Sequence, residues 1–303
     1  MRRCGDERSF PLYVHLGAHR TGTSSFQMML AANAGTLRGA GYDLGYPGRD
    51  DIPGGTLRLR LPSPRNVAET DSRFIPACRD AFAQLRTGAP AGLILSEENI
   101  PGRMLHFRKG QFYPAAPYRL RTLLQAGGPV TRAVLVVRAY TDLYISAWRK
   151  RAEDNASPPF QEAAGKLLRM DGGWPRLAQE VIDTLAPQAF VVLEYGARGR
   201  SVDLLHRLVP ETAQLPLEEP ARVMNLSATD AALEALQRLY AEGRELPRAE
   251  WQRIVTAHRA DTTPRGLSKF TARQHRILSA HYREDLDRLG AMPGLTLIRA
   301  PQP

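Results

Sequence analysis

Residues 11–30 read PLYVHLGAHRTGTSSFQMML. Leu12-Tyr13-Val14 is a short apolar run suited to a buried strand. Gly17 and Gly22 punctuate the turn behind it, and Ser24-Ser25-Phe26-Gln27-Met28-Met29-Leu30 suits the start of a helix. Strand, glycine-bearing loop and hydroxyl-rich helix start together build a cradle for a tetrahedral oxyanion. The glycines let backbone N–H groups approach an anion closely, and the first helical turn adds unpaired donors and the positive end of the helix dipole. An ordinary strand-to-helix turn would use the same residue types, and that reading stands beside the first.

Outward from this loop, apolar runs alternate with helix-compatible stretches. Helices are expected over Ser24–Arg38 and Arg73–Leu85, separated by a surface excursion from Tyr42 to Asn66 that is rich in Gly, Pro and Arg. Gly92-Leu93-Ile94-Leu95 is a second strand, Ala133-Val134-Leu135-Val136-Val137 a third and Phe190-Val191-Val192-Leu193 a fourth. Leu295-Thr296-Leu297-Ile298 makes a short last one. Further helices are expected over Tyr118–Leu124, Thr141–Arg151, Trp174–Leu185, Asp230–Glu242, Arg248–His258 and Thr271–Leu289. In the last of these, Ile277, Leu278, His281, Leu286 and Leu289 make an apolar-leaning stripe. The pattern predicts an α/β fold: a mostly parallel central sheet flanked by helices, with a helical C-terminal third over 227–290. No linker interrupts it, so residues 1–303 read as one domain with a loose tail over 1–9.

In a sheet of this kind ligands bind beyond the carboxyl ends of the strands. Those ends carry the loop after Val14, Ser96-Glu97-Glu98 after Leu95, Arg138 after Val137 and Glu194-Tyr195 after Leu193. The nucleoside-triphosphate loop is G-x-x-x-x-G-K-[ST], with lysine on the outer phosphates. Gly17 and Gly22 keep that spacing, but Thr23 stands in the lysine's place and the cation comes earlier, at Arg20.

The order H-x-G-x-x-[KR]-T-G-T-[ST]-S-x-Q over His15–Gln27 resembles the 5′-phosphosulfate loop of sulfotransferases that use 3′-phosphoadenosine 5′-phosphosulfate (PAPS), most closely the bacterial members. Those commonly carry lysine where Arg20 stands, so a planar fork replaces a compact ammonium. Arg138-Ala-Tyr-Thr-Asp142 and Ser146 resemble the family's 3′-phosphate segment, R-x-P-x-D-x-x-x-S-x-[YW], with Tyr140 in place of the proline and Thr141 or Asp142 able to cap the helix. Ser96-Glu97-Glu98-Asn99 resembles its S-x-E-N segment, which implies Glu98 as the base that takes the acceptor's proton. Alternation along an extended chain sets Glu97 and Glu98 on opposite sides, with Glu98 toward the cleft. The resemblance implies a P-loop-type sulfotransferase fold, with Arg20, Thr21, Gly22, Thr23, Ser24, Ser25, Arg138 and Ser146 binding PAPS, or its product PAP. Arg20 would also stabilise the leaving group, and no metal would be needed. His19 and His106 are reserve bases. Val223–Ser227 resembles an N-x-S segment of bacterial members. Pro264–Lys269 is at best a loose counterpart of a late R-K-G loop that reaches the 3′-phosphate in animal cytosolic members.

The 303 residues carry a net charge of +10, most of it from arginine. Such a surface could attract nucleic acid or a polyanionic small molecule, but no block of basic residues interleaved with aromatics and no zinc or RNA-binding signature supports the former. Only Cys4 and Cys78 are present, which suits a reducing cytoplasm rather than a disulfide framework. No run is apolar enough to span a bilayer. Two rival readings remain: a nucleotide-dependent kinase, with Leu193-Glu194 or Leu95-Ser96-Glu97 as its acidic strand, and a non-catalytic nucleic-acid-binding module. The Gly102–Pro117 and Asn155–Gly173 loops are expected to shape the acceptor pocket. Their Arg, Lys and aromatic content points to a carbohydrate or an anionic small molecule, with lipid and peptide acceptors still open.

Overall fold

Leu12, Val14 and Leu16 pack on one side of a central sheet and Tyr13 on the other. The same alternation runs through the neighbouring strands, as expected for a sheet with both faces covered. The structure, a computed structural model, describes residues 10–49, 52–221 and 227–301. In chain order its elements are β1 (Leu12–Leu16), α1 (Thr23–Ala32), α2 (Ala34–Gly39), β2 (Tyr42–Gly45), α3 (Ile75–Leu85), β3 (Gly92–Glu97), α4 (Ala116–Gly127), β4 (Arg132–Val137) and α5 (Tyr140–Asp154). There follow α6 (Phe160–Leu168), α7 (Trp174–Leu185), β5 (Ala189–Glu194), α8 (Ser201–Leu208), α9 (Asp230–Ala241), α10 (Arg248–Ala257), α11 (Ala272–Ala291) and β6 (Thr296–Ile298).

The six strands form one all-parallel sheet in the order β2-β3-β1-β4-β5-β6. Leu93, Leu95, Ala133, Leu135, Val137 and Val192 join Leu12 and Val14 in a core covered by α3, α4, α5, α7 and α11. Ile94, Val134, Val136, Val191 and Leu193 face the opposite way, under α1, α2 and α8. The chain therefore leaves β1 toward one face while its neighbours β3 and β4 feed helices on the other. Such a divergence opens a crevice at the carboxyl ends of the strands. The α/β class, the parallel sheet and the helical C-terminal part are as the sequence predicts, and among the described residues no helix is long and apolar enough to cross a membrane.

Several boundaries differ. Tyr42–Gly45 is not part of a surface excursion but the buried edge strand β2. Gly45 fits there because a Cβ would lie 2.9 Å from the Leu95 side chain. The helix expected over Ser24–Arg38 breaks at Asn33. Its amide donates to the Met29 and Glu218 carbonyls and accepts from the Glu218 N–H, so the side chain serves another segment rather than the helix. The Asn155–Gly173 loop contains α6, and α8 lies where no helix is expected. α5 begins at Tyr140 on Ala139, with no side-chain cap from Thr141 or Asp142. On α11 Tyr282 takes the buried place and His281 is exposed. Residues 1–9 and 222–226, which hold the expected tail and most of the N-x-S segment, lie outside the described residues.

The end of β4 is held by one side chain of α7. Trp174 is fully buried, stacks on Tyr140 with centroids 6.3 Å apart, and donates through Nε1 to the Arg138 carbonyl at 2.9 Å. Trp174→Phe removes that bond while keeping most of the packing and should cost about 1–3 kcal/mol in urea unfolding. Trp174→Ala, which also opens a cavity, should cost about 3–5 kcal/mol. An unchanged midpoint in Trp174→Phe would show that the bond does not support this strand end.

Candidate functional site: an anion cradle beside a cationic cavity

The loop after β1 is pinned from within. The Thr21 hydroxyl donates to the Ala18 carbonyl at 2.6 Å and that of Thr23 to the same oxygen at 3.3 Å. Both hydroxyl protons are thereby committed to the loop, which leaves the backbone N–H groups as its donors. Gly22 caps α1 at φ 90°, a left-handed position that glycine alone occupies freely. A Cβ there would lie 2.9 Å from Arg198 Nε. Arg20, without glycine's freedom, also adopts a left-handed φ of 63°, a strain that recurs at binding sites. Ser24 and Ser25 are half-buried in the first turn of α1. Beneath the loop, His15 Nδ1 and Ser96 Oγ share a hydrogen bond of 2.9 Å, and Gln27 donates to the Ser96 carbonyl at 3.0 Å.

Three arginines from three strand ends meet on this loop. Arg20 donates through Nε to Ser146 Oγ at 2.6 Å and through Nη2 to Ser227 Oγ at 3.2 Å. Arg138 donates to the Arg20 carbonyl at 2.8 Å, and its guanidinium lies over the Tyr195 ring at 4.7 Å. Arg198 donates to the Gly22 carbonyl at 3.3 Å and to Ser201 Oγ at 3.0 Å. Among the described residues none of the three has a carboxylate within ion-pair distance. The Nε atoms of Arg138 and Arg198 are buried without a partner. Burial lowers the pKa of Arg20 and of Arg198. Dipoles hold these cations in place; Glu153 and Glu98 act on Arg20, and Glu219 and Asp203 on Arg198, only from beyond ion-pair distance.

The sequence motifs around Arg20 and around Arg138 and Ser146 are thus brought into contact. Arg198 is the residue that sequence reading missed. It follows β5 by a few positions, in the group of strand ends already flagged through Glu194-Tyr195, but no recognisable spacing singles it out.

Glu97 and Glu98 do not part company as alternation predicts. Arg49 donates to Glu97 through Nη2 (2.8 Å to Oε1 and 2.7 Å to Oε2) and to Glu98 through Nη1 at 2.8 Å. β3 ends at Glu97, so the period of two no longer governs Glu98. Glu97 is buried and also accepts from the backbone and side chain of Asn99. Glu98 keeps 31% of its side chain exposed. Burial works against the charge of Arg49, but the two carboxylates outweigh it and raise its pKa.

Glu98 and His19 border a cavity of about 1120 Å³. At Gly17 a Cβ would come 3.3 Å from Glu98 Cα, so cradle and cavity share a wall. His19 is buried, lies over Tyr113 with ring centroids 6.3 Å apart, and leaves Nδ1 unpartnered. His106 lines neither this cavity nor the cradle. Arg265 of the Pro264–Lys269 loop pairs with Glu234 and Asp261, away from the cradle arginines.

Burial lowers the pKa of both His15 and His19 to about 3. The unfolded chain would then bind protons below pH 6.5 that the folded chain does not. Stability should be full above pH 6.5 and fall as pH drops toward 3, by about 1.4 kcal/mol per pH unit for each histidine. Urea unfolding between pH 4.5 and 7 should show this slope, reduced by half in His15→Gln; an unaltered slope would exclude His15 as a source. Gly22→Ala should cost about 1–2 kcal/mol from its φ alone, in addition to displacing Arg198, read by the same method.

Compared with protein-family models, with curated proteins and with solved structures, the chain finds no match.

Proposed function

We propose that this protein is a sulfotransferase that moves a sulfuryl group from PAPS to a hydroxyl or amine of an acceptor. One observation carries the reading: Arg20, Arg138 and Arg198 converge on a glycine-capped loop with no carboxylate to neutralise them among the described residues. Such a cluster suits a ligand with more than one anionic group. The residues fit a doubly phosphorylated adenylate in two respects. The buried Nε atoms of Arg138 and Arg198 lack partners, and both positions of the loop where a Cβ would collide with its walls, Gly17 and Gly22, are glycines.

Arg20 and the N–H groups of residues 21–25 would hold the 5′ end, with Arg138 and Ser146 at the 3′-phosphate and Arg198 beside Gly22. When bound, PAPS supplies the sulfuryl group, and PAP is the product. Preorganised cations suit such chemistry because charge accumulates on the leaving oxygen while covalent work for the protein is small. Glu98 borders both the cradle and the cavity and is the side chain for taking the acceptor's proton. Arg49 holds Glu98 in place beside Glu97. His19, uncharged at neutral pH, borders the same cavity and is the reserve for that role.

The kinase reading is weaker because its acidic strand ends are engaged. Glu97 is held by Arg49 and Asn99, and Glu194 accepts from the Ala300 N–H at 2.9 Å. Thr23, in the place of the phosphate-loop lysine, donates to its own loop. A nucleic-acid-binding module without catalysis leaves the Glu98–Arg49 pair beside the cradle without a role.

PAP should raise the thermal midpoint more than ATP with magnesium does. Arg138→Ala and Arg198→Ala should each weaken PAP binding about 10–100-fold, as expected when a charge-assisted hydrogen bond worth about 1.5–3 kcal/mol is lost. Glu98→Gln should bind PAP as the parent does and slow transfer to a panel of hydroxyl compounds about 10²–10⁴-fold. Stronger stabilisation by ATP would overturn the assignment, and unaltered turnover in Glu98→Gln would remove Glu98 from its role.

A further inference from the structure

The cavity beside Glu98 is larger than a phenol or a simple alcohol needs, since pockets that take drug-sized ligands measure about 300–1,000 Å³. Nine basic and three acidic side chains line it. Much of that charge is already spent. Arg49 serves Glu97 and Glu98, Arg73 pairs with Glu69, Lys150 pairs with Glu153, and the buried Arg119 donates to the carbonyls of Pro62 and Asn99.

Five are different: Arg60 and Lys166, and the group Arg103, Arg108 and Arg151. Among the described residues none has a carboxylate within ion-pair distance. Arg151 leaves a buried Nε without a partner. Burial lowers its pKa, Asp154 on the same wall raises it, and the charges of Arg108 and Arg103 lower it, so Arg151 feels both neighbouring guanidinium groups across the cavity. Like charges gathered in one recess are relieved by an anion placed among them.

The rest of the wall is apolar. Leu59, Met104, Leu105, Trp148 and Leu167 border the same space, and Leu105 remains 40% exposed, as few large aliphatic side chains here do. A saccharide would call for many neutral amide and hydroxyl partners, whereas Asn99 and Ser157 are the only such amide and aliphatic hydroxyl side chains on this wall. Between the carbohydrate and the anionic small molecule that the loop composition suggests, the cavity favours the one without a polyhydroxylated body.

We infer that the acceptor is an amphiphilic anion, with an acidic group seated among Arg103, Arg108 and Arg151, an apolar body against the Leu59–Met104–Leu105 wall, and its reacting hydroxyl toward Glu98. Calling the bound molecule an acceptor rests on the sulfotransferase reading; its selectivity for charge does not.

The test uses 4′-hydroxybiphenyl-4-carboxylate and its uncharged methyl ester, titrated calorimetrically into the full chain without nucleotide, while PAP binding is measured separately. The acid should bind at least tenfold more tightly than the ester. Arg151→Ala and the pair Arg103→Ala/Arg108→Ala should each shrink that ratio at least threefold, with PAP affinity unchanged as the check that the fold is intact. An ester bound as tightly as the acid, a ratio that survives both variants, or binding of neither compound would overturn the inference. So would tighter binding of a sulfated disaccharide, which has the charge but no apolar body. Because the ratio is read without nucleotide, a protein that fails to bind PAP yet selects the acid would sink the transferase reading alone, and the reverse result would sink only the acceptor class.

Discussion

Three guanidinium groups share one loop with no negative partner among the described residues, and the arrangement of the strand ends serves to hold them there. Like charges at short range in a partly buried site repel by amounts that matter against the marginal stability of a folded chain. What offsets the repulsion is a set of oriented dipoles: the carbonyls of Arg20 and Gly22, the hydroxyls of Ser146, Ser201 and Ser227, and the face of the Tyr195 ring. Dipoles fix a cation's position without cancelling its charge. A carboxylate in any of those places would have neutralised the charge it holds.

The sheet makes this possible. β1 sends its chain to one face while β3 and β4 send theirs to the other, so the loop after β1 lies open between its neighbours. Arg138 reaches it from β4, and Arg198 from beyond β5. The Glu97–Glu98 pair approaches from β3, on the opposite flank. Cations therefore stand on one side of Gly17–Gly22 and carboxylates on the other. Arg49, from the segment after β2, bridges the two carboxylates.

The legible parts of this arrangement were those with a strong local signature. The unbroken apolar runs of β1, β3, β4 and β5 announce buried parallel strands, and Gly17, Gly22 and the hydroxyls around them announce the loop. β2 was hidden because Tyr42-Asp43-Leu44-Gly45 is short and set among turn-forming residues; its identity comes from lying against β3, which no local pattern records. The break at Asn33 was equally silent, since the reason for it is Glu218, distant in the chain. α6 was masked by prolines before it and glycines after it. Arg198 has no signature because its importance lies in reaching Gly22 across 176 residues. The pairing of Glu98 with Glu97 escaped the alternation rule for a simpler reason: the rule applies within a strand, and the strand stops one residue too soon.

The span of that last contact has a further consequence for how the molecule comes into being. Arg20, Arg138 and Arg198 belong to segments made early, midway and late in synthesis, and they can meet only after β1, β4 and β5 have paired. Contacts this far apart in sequence carry a large loop-closure cost and slow folding. A nascent chain that has emerged only as far as β4 has its glycine loop and two of its arginines, yet not the guanidinium that lies against Gly22. The three-arginine cluster is thus incomplete until the sheet is assembled through β5, and any ligand that binds only the complete cluster would pull the folding equilibrium forward by mass action.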